Sequence, residues 1–226
     1  MRQRFLNVGG GSKQVWLPPT YAGWEHCLLD IDATVSPDIC LDARELAGLD
    51  PAQFDAIYCS HNLEHYFAHD VSRVLGGFRH VLRPGGFAEV RVPDMQALMR
   101  TVVERGLDID DVLYQSGMGP IMVRDVIYGY GRQIESSGVD FYAHKTGFTP
   151  RSLSAALKRA GFVQVGFLPG RHLEVAAVGF TAPPTEAQLA LFRQPAGQET
   201  PAPGNPVPER AKAANPSAGS EGGDPS

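Results

Sequence analysis

The stretch Phe-Leu-Asn-Val-Gly-Gly-Gly-Ser-Lys, residues 5–13, decides the fold of this chain. Its apolar residues predict a short buried strand over residues 5–8, because they end at a run of glycines. Gly9, Gly10 and Gly11 then predict a tight turn. Since glycine tolerates positive φ and lacks a Cβ atom, the main chain of such a turn can approach a ligand closely.

A carboxylate follows this turn at an informative distance. Residues 26–31, His-Cys-Leu-Leu-Asp-Ile, predict a second apolar strand that ends at Asp30. About 20 residues is the spacing at which a nucleotide-binding α/β unit places a carboxylate on ribose hydroxyls, and a carboxylate accepts two hydrogen bonds from a vicinal diol. We therefore expect a nucleoside-bearing cofactor here, although a glycine turn without a ligand fits the triplet alone.

Two details disfavour a dinucleotide as this cofactor. A G-x-G-x-x-G fingerprint needs glycine at position 14, where the chain has Gln14. Pro18 and Pro19 interrupt the crossover and leave little room for a helix that caps a pyrophosphate. A cofactor without a pyrophosphate fits better, so a nicotinamide-dependent oxidoreductase ranks behind the other candidate functions.

Two further predicted strands also end in polar residues. A short strand over residues 39–41 precedes Asp42, and an apolar strand over residues 54–59 precedes Ser60 and His61. The second is apolar throughout, as expected for a central parallel strand covered on both faces. Because ligands of open α/β sheets bind at the carboxyl ends of strands, we expect these side chains beside the cofactor.

These motifs together resemble a known family. In chain order they are Asn7-Val-Gly-Gly-Gly, Leu29-Asp-Ile-Asp, Phe54-Asp-Ala-Ile-Tyr-Cys-Ser-His-Asn-Leu-Glu-His65 and Val81-Leu-Arg-Pro-Gly-Gly86. They resemble successive motifs of class I S-adenosylmethionine-dependent methyltransferases, and most of all the small bacterial type 11 branch with its Leu-Glu-His signature. The resemblance covers roughly residues 4–180. It implies a doubly wound α/β fold of the Rossmann-like kind, with a mostly parallel seven-stranded sheet and an antiparallel last strand.

The resemblance also implies the cofactor, S-adenosyl-L-methionine, and the residues that bind it: Asn7, Gly9, Gly10, Gly11, Asp30, Ile31, Asp42, Ala43 and Ser60. In the family an acidic residue at the position of Asp42 hydrogen-bonds the adenine amino group. Read alone, Asp42 fits equally well as the N-cap of a short helix over residues 44–49. The family has Asp or Glu in place of Asn7, so we expect a weaker or water-mediated contact there.

Three histidines are the catalytic candidates. His61 is the preferred one, as general base or acceptor-orienting group, and His65 and His144 follow. A base is needed only if the acceptor must lose a proton, and histidine suits that role near neutral pH. A hydrogen-bonded structural histidine is the alternative at each position. No metal is predicted.

Residues 106–149 form an irregular connection in which Tyr and Gly alternate, unlike an element that builds a core. Long connections in compact domains are commonly functional, so we expect a lid or substrate wall. A dimer contact or a cover for the sheet edge is the alternative. The predicted substrate-binding residues in this segment are Tyr128, Tyr130, Arg132 and Tyr142.

The remaining elements follow from apolar periodicity and capping residues. Helices are predicted over residues 71–82, after Pro93-Asp94 and after Thr149-Pro150, and strands over residues 87–92, 162–168 and 173–180. In the second helix Leu98, Met99, Val102 and Val103 are expected to form one core-facing stripe. The three cysteines, Cys27, Cys40 and Cys59, match no zinc or CxxC spacing and are expected to be small buried hydrophobes.

The composition of the chain limits the classes of binding partner that we expect. A formal charge of −5 and a pI near 5.8 leave no electrostatic footprint for nucleic acid or an anionic membrane. No run of about 18 apolar residues and no apolar leader occurs, which predicts a soluble cytoplasmic protein. We expect a small-molecule substrate, no nucleic acid and no membrane, and the sequence leaves a homodimer open.

The predicted organisation is a methyltransferase domain over residues 1–182 and a tail over residues 183–226. Residues 195–226 are rich in Pro, Ala, Gly and Ser and are expected to be disordered. The predicted activity is in-line methyl transfer to O or N of a small metabolite or glycan precursor. The alternative is a catalytically silent nucleoside-binding or scaffold domain of the same fold.

Overall fold

The computed structural model describes residues 2–117, 119–171 and 173–193. The predicted disorder of residues 195–226 lies outside this range. Within it the strands are β1 Arg4–Val8, β2 Glu25–Asp30, β3 Ile39–Cys40, β4 Phe54–Ser60, β5 Leu82–Pro93, β6 Val112–Ser116, β7 Gly119–Met122, β8 Gln164–Leu168 and β9 Glu174–Phe180. The helices are α1 Val71–Val81, α2 Met95–Arg105, α3 Val123–Tyr128, α4 Gly131–Ser137, α5 Pro150–Arg159 and α6 Glu186–Leu191.

Seven strands form one sheet in the order β3-β2-β1-β4-β5-β9-β8. The first five are mutually parallel, and β9 runs antiparallel to both β5 and β8. The chain moves outward from β1 to β3 and then returns to place β4 on the other side of β1. This reversal is a topological switch point, where open α/β sheets bind their ligands. The predicted seven-stranded, mostly parallel sheet is confirmed.

The main core lies between the sheet and the helices α1 and α5. Apolar spacing along α1 predicts its buried face, and that face is buried as expected. Asp94 caps the N-terminus of α2, and Thr149 caps that of α5. The largest side chains of this core include Leu6, Leu29, Phe54, Ile57, Leu75, Phe78, Leu153 and Leu157. A smaller aromatic cluster covers the opposite face of the sheet, where Phe192 after α6 packs edge-on against Phe87 at 5.2 Å between ring centroids.

Strand β5 begins earlier than predicted. Leu82 pairs with Phe54, and Phe87 pairs with Ala56, so that residues 83–86 are looped out of the ladder. Gly85 takes a φ of +81° within this loop, a conformation that favours glycine. Residues 83–86, which separate the predicted helix from the predicted strand, therefore form an irregularity inside a strand whose two ends both pair with β4.

The predicted core stripe of α2 is wrong in part. Leu98 is 1% exposed, whereas Met99 is 57% and Val103 is 80% exposed. Helix α2 packs mainly against the segment that follows it, so only a narrow side of the helix is covered in the described structure. Cys40 is also exposed, unlike Cys27 and Cys59, because β3 is the two-residue strand at the sheet edge.

Residues 106–149 build a small core of their own, which the sequence did not predict. Strands β6 and β7 form an antiparallel hairpin, followed by α3 and α4. Their buried side chains, Leu113, Ile121, Val123 and Val126, pack against Leu98 of α2. None of the helices in the described parts of the chain is long and apolar enough to cross a membrane.

Candidate active site

The glycine turn after β1 is tied to the end of β2. The N–H of Gly11 donates to Oδ2 of Asp30 at 3.0 Å, and the N–H of Asp32 donates to Oδ1 at 3.0 Å. The N–H of Gly9 donates to the carbonyl of Leu29 at 2.8 Å. The sequence predicts that the main chain of this turn approaches a ligand. Two of its N–H groups, those of Gly9 and Gly11, are instead bonded within the protein.

Glycine is required in this turn for a reason that the sequence did not show. Gly9 and Gly11 have φ values of +68° and +66°. A Cβ atom on Gly9 would collide with the side chain of Asn62, and one on Gly10 would collide with the side chain of Asn7. The glycines therefore let two asparagine amides pack directly against the backbone.

Asn7, which stands where the family has an acidic residue, is 1% exposed. Its Nδ2 lies 3.3 Å from Nε2 of His26. Burial lowers the pKa of His26, so its ring is neutral near pH 7 and Nε2 can accept a hydrogen bond from the amide. This contact holds Asn7 against the turn.

Asp42 caps the short 3-10 helix Ala43–Gly48, as one of the two interpretations of the sequence proposed. Oδ1 accepts the N–H of Arg44 at 2.9 Å, and Oδ2 accepts Nη2 of the same residue at 2.7 Å. Partial burial acts to raise the pKa of Asp42, but the bonds from Arg44 outweigh it and lower the pKa. Ala43 is buried, whereas Ile31, next to Asp30, is 46% exposed.

A cavity of about 320 Å³ opens beside the glycine turn, at the carboxyl ends of β1, β4 and β5. Seven of the predicted site residues line it: Asn7, Gly9, Gly10, Ser60, His61, Tyr130 and His144. Residues of the β6–β7 hairpin and of α3 form the opposite wall. The structure thus brings the predicted wall segment onto the carboxyl end of the sheet.

Other predicted residues lie outside the cavity lining. Asp30, Ile31, Asp42 and Ala43 lie along the ends of β2 and β3, and Gly11 lies beside them. His65 is not among the lining residues either, and its ring nitrogens contact the carbonyls of Ala143 and His61. Tyr128, at 60% exposure, and Arg132 face outward, and Tyr142 is partly buried beside them.

Several lining residues were missed from the sequence: Trp16, Tyr58, Arg91, Tyr114, Asp125, Arg171 and Glu174. One signal was present for Arg91. Glu89 and Arg91 are charged residues two positions apart in an apolar strand, and period-two alternation places both on the same face. No such pattern marks the others, which come from separate elements.

Charged side chains form a continuous row across the floor of the cavity. Nε of Arg91 lies 2.7 Å from Oε1 of Glu89, and Nη1 lies 2.8 Å from Oε1 of Glu174. The side chains of Arg91 and Glu174 are 11% and 7% exposed. Tyr21 donates its hydroxyl to Oε2 of Glu89 at 2.9 Å. Burial raises the pKa of Glu89, which Arg91 opposes.

His61 continues this row and has an unusual backbone. Its φ of +48° is rare for a residue with a side chain and aims the ring between two carboxylates. Nε2 lies 3.1 Å from Oε2 of Glu174, and Nδ1 lies 3.4 Å from Oε1 of Glu64. Desolvation alone would lower the pKa of His61, but the two carboxylates outweigh it and raise the pKa to about 10. The ring is 45% exposed.

Sequence comparison identifies a family for part of the chain. Residues 6–90 match a family model of type 11 methyltransferases, described as a methyltransferase domain. The match ends before the hairpin wall and before β9. A comparison with curated proteins finds no match.

Solved structures share the fold at low sequence identity. A SAM-dependent methyltransferase from Archaeoglobus fulgidus is 13% identical over 79% of this chain and 86% of its own, with a TM-score of 0.49. A protein from Pyrococcus horikoshii OT3 is 13% identical over 80% of this chain and 82% of its own, with a TM-score of 0.50. PigF, solved with SAH, is 11% identical over 80% of this chain, which spans 50% of PigF, with a TM-score of 0.50.

The two structures with a TM-score of 0.50 share the fold of this chain. The family model identifies a methyltransferase domain over residues 6–90, in agreement with the resemblance of the sequence motifs to class I S-adenosylmethionine-dependent methyltransferases of the type 11 branch.

Proposed function

We propose that this chain transfers a methyl group from S-adenosyl-L-methionine to an oxygen or nitrogen atom of a small metabolite or glycan precursor, within a domain that spans residues 1–182. One observation carries the proposal. The glycine turn that Asp30 anchors also forms one wall of the cavity that contains His61. A donor held at the turn would therefore present its methyl group to an acceptor in the cavity.

The residues at the turn fit the cofactor. The Asp30 carboxylate accepts two backbone N–H groups, and each oxygen keeps a second lone pair for a ribose hydroxyl. Exposed Ile31 offers an apolar surface to the adenine ring beside it. We propose that Asn7, Gly9, Gly10 and Ser60 contact the part of the cofactor inside the cavity, and that Gly11, Asp42 and Ala43 contact the part outside.

S-adenosylmethionine supplies an activated methyl group on a sulfonium. The task of the protein is to hold an acceptor in line with the donor and to exclude water. Asn7 and Gly10 line one wall of the cavity, and Tyr114 and Ile121 line another. An acceptor held between these two walls would face the glycine turn. Residues of the β6–β7 hairpin, Tyr114, Ser116 and Ile121, form part of the wall of this space.

We propose that His61 orients the acceptor. Both of its ring nitrogens face carboxylates, Glu174 on one side and Glu64 on the other, so the ring is held in one position at the cavity wall. A ring engaged on both sides has no lone pair to take a proton. This geometry favours the orienting role over the general-base role that the sequence also allowed.

The acceptor is small and polar. A volume of about 320 Å³ lies at the lower end of small-molecule sites. The lining combines charges of both signs, Arg91 and Glu174, with aromatic rings such as Trp16 and Tyr130. Such a lining suits a compact molecule with hydroxyl or amino groups. We propose that Tyr128, Arg132 and Tyr142 contact the portion of a larger acceptor, such as a glycan precursor, that extends beyond the cavity.

The test has two steps. Calorimetric titration of the purified chain with S-adenosylmethionine checks cofactor binding. Transfer of a tritiated methyl group to fractionated small molecules from a cell extract then checks activity, with an Asp30→Asn variant as the matched control. Labelled product with the native chain and none with the variant supports the proposal. Binding without any labelled product would identify the silent binding domain instead, and no binding at millimolar cofactor would refute both.

A further inference from the structure

Glu64 is a buried carboxylate whose contact with His61 is longer than an ordinary hydrogen bond. It is 1% exposed, and neither Oε1 nor Oε2 has a hydrogen-bond partner among the described residues. Its contacts are the ion pairs of Oε1, at 3.4 Å to His61 Nδ1 and at 4.0 Å to His144 Nε2. His61 gives Oε1 an ion pair, but the hydrogen-bonding capacity of both oxygens is left unfilled, and buried carboxylates are normally hydrogen-bonded or bound to a metal.

His144 presents a free ring nitrogen to this carboxylate. Its Nδ1 lies 2.9 Å from the carbonyl of Val126, which fixes the proton on Nδ1. Nε2 then carries a lone pair and points toward Glu64. A histidine whose second nitrogen is held by a carbonyl is the usual arrangement of a metal ligand.

His65 completes the group. Its ring packs edge-on against that of His144, with centroids 5.0 Å apart. Nδ1 lies 3.1 Å from the carbonyl of Ala143 and Nε2 lies 3.2 Å from the carbonyl of His61. Whichever nitrogen turns toward an ion, the other keeps a carbonyl partner to orient the ring.

The backbone holds the two halves of the group together. The carbonyl of Glu64 accepts the N–H groups of Lys145 at 2.8 Å and Thr146 at 3.2 Å. The N–H of His144 donates to the carbonyl of Tyr128 at 3.0 Å. The three side chains therefore rest on a framework that does not depend on their own contacts.

We propose that Glu64, His65 and His144 bind one divalent transition-metal ion, of the Mn²⁺, Co²⁺ or Zn²⁺ class. One ligand atom of each residue lies within 4.8 Å of the others. Ligand atoms bound to one ion at about 2.0–2.2 Å lie about 3–4 Å apart, so side-chain rotations of about an ångström bring them together. Two imidazoles and one carboxylate are a ligand set that these ions accept.

Three protein ligands leave a coordination position open. His144 lines the cavity, so an ion bound to its ring lies next to the space proposed for the acceptor. An ion there would bind an oxygen atom of the acceptor and favour a hydroxyl or carboxylate over an amine. This last step rests on the proposed function, whereas the metal site itself does not.

The test measures metal alone, without cofactor or acceptor. The full chain, without any polyhistidine tag, is stripped with a chelator and titrated with Co²⁺, whose visible d–d absorption reports coordination by nitrogen and oxygen. We expect one equivalent to bind and to raise the temperature of unfolding. Glu64→Gln and His144→Gln should each weaken binding by at least about tenfold. His69→Gln, at a histidine whose side chain is 79% exposed, should bind as the native chain does.

Thermal unfolding of the metal-free variants shows whether each variant folds. If Glu64→Gln does not fold, Co²⁺ binding by His144→Gln tests the proposal. Absence of Co²⁺, Mn²⁺ and Zn²⁺ binding to the native chain would overturn the proposal. So would native-like binding by the folded variants. Calorimetric titration with S-adenosylmethionine, run separately, distinguishes failure of this site from failure of the proposed function.

Discussion

Asp30 at the end of β2 accepts the N–H of Gly11 at 3.0 Å, which joins the carboxylate and the glycine turn into one unit. Asp30 ends β2, and Gly11 lies in the turn that follows β1, the parallel neighbour of β2. The carboxylate therefore holds the turn in shape, and its remaining lone pairs are those that we propose to bind a ribose.

Replacement of Asp30 by Asn should weaken binding of S-adenosylmethionine by roughly 10- to 100-fold, because charge-assisted hydrogen bonds are worth about 1.5–3 kcal/mol. Calorimetric titration measures the change. Asp50→Asn, at an exposed carboxylate away from the cavity, should bind the cofactor as the native chain does. Equal affinity of the Asp30 variant and the native chain would contradict the cofactor site.

Replacement of Gly10 by Ala should destabilise the fold and weaken cofactor binding, because the added Cβ collides with the amide of buried Asn7. Urea unfolding and cofactor titration measure the two effects. Gly76→Ala is the matched control, since a Cβ on this helical glycine meets nothing within 4 Å. We expect the control to gain about 0.5–1 kcal/mol from reduced unfolded-state freedom. A Gly10 variant as stable as the native chain would show that the turn readily rearranges.

Leu98→Ala should lower the free energy of unfolding by about 2–5 kcal/mol, because it empties the centre of the core between α2 and the hairpin. Val103→Ala on the same helix should change it by less than about 0.5 kcal/mol, since that side chain is 80% exposed. Chemical denaturation of both variants gives the comparison. Similar losses at the two positions would mean that another surface covers the outer face of α2.

Arg91→Gln should cost about 3–5 kcal/mol of stability, because it removes the buried guanidinium that pairs with the carboxylates of both Glu89 and Glu174. Arg193→Gln removes an exposed ion pair with Glu186 and should change stability by about 0–1 kcal/mol. Thermal and urea unfolding measure both. If the Arg91 variant were as stable as the native chain, the row of charges would not support the cavity floor.

Local patterns were sufficient for most of the elements. The apolar spacing of α1, the Asp and Thr caps of α2 and α5, and the glycine turn each involve residues within a few positions of one another. Their physical cause is therefore visible in a short stretch of sequence. The exposed Met99 and Val103 show the limit, since periodicity reveals an apolar face but not whether another element covers it.

The sequence by itself determined the parallel sheet, the turn and the carboxylate that faces it, because these depend on neighbouring strands whose order the motifs indicate. Only the tertiary structure decided the chemistry of the cavity. His61 meets Glu174 across 113 residues of chain, and Glu64 meets His144 from a segment whose path no local pattern predicts. The pKa values and contacts of these side chains depend on which other charged groups are buried beside them, and a residue's identity alone does not reveal those neighbours.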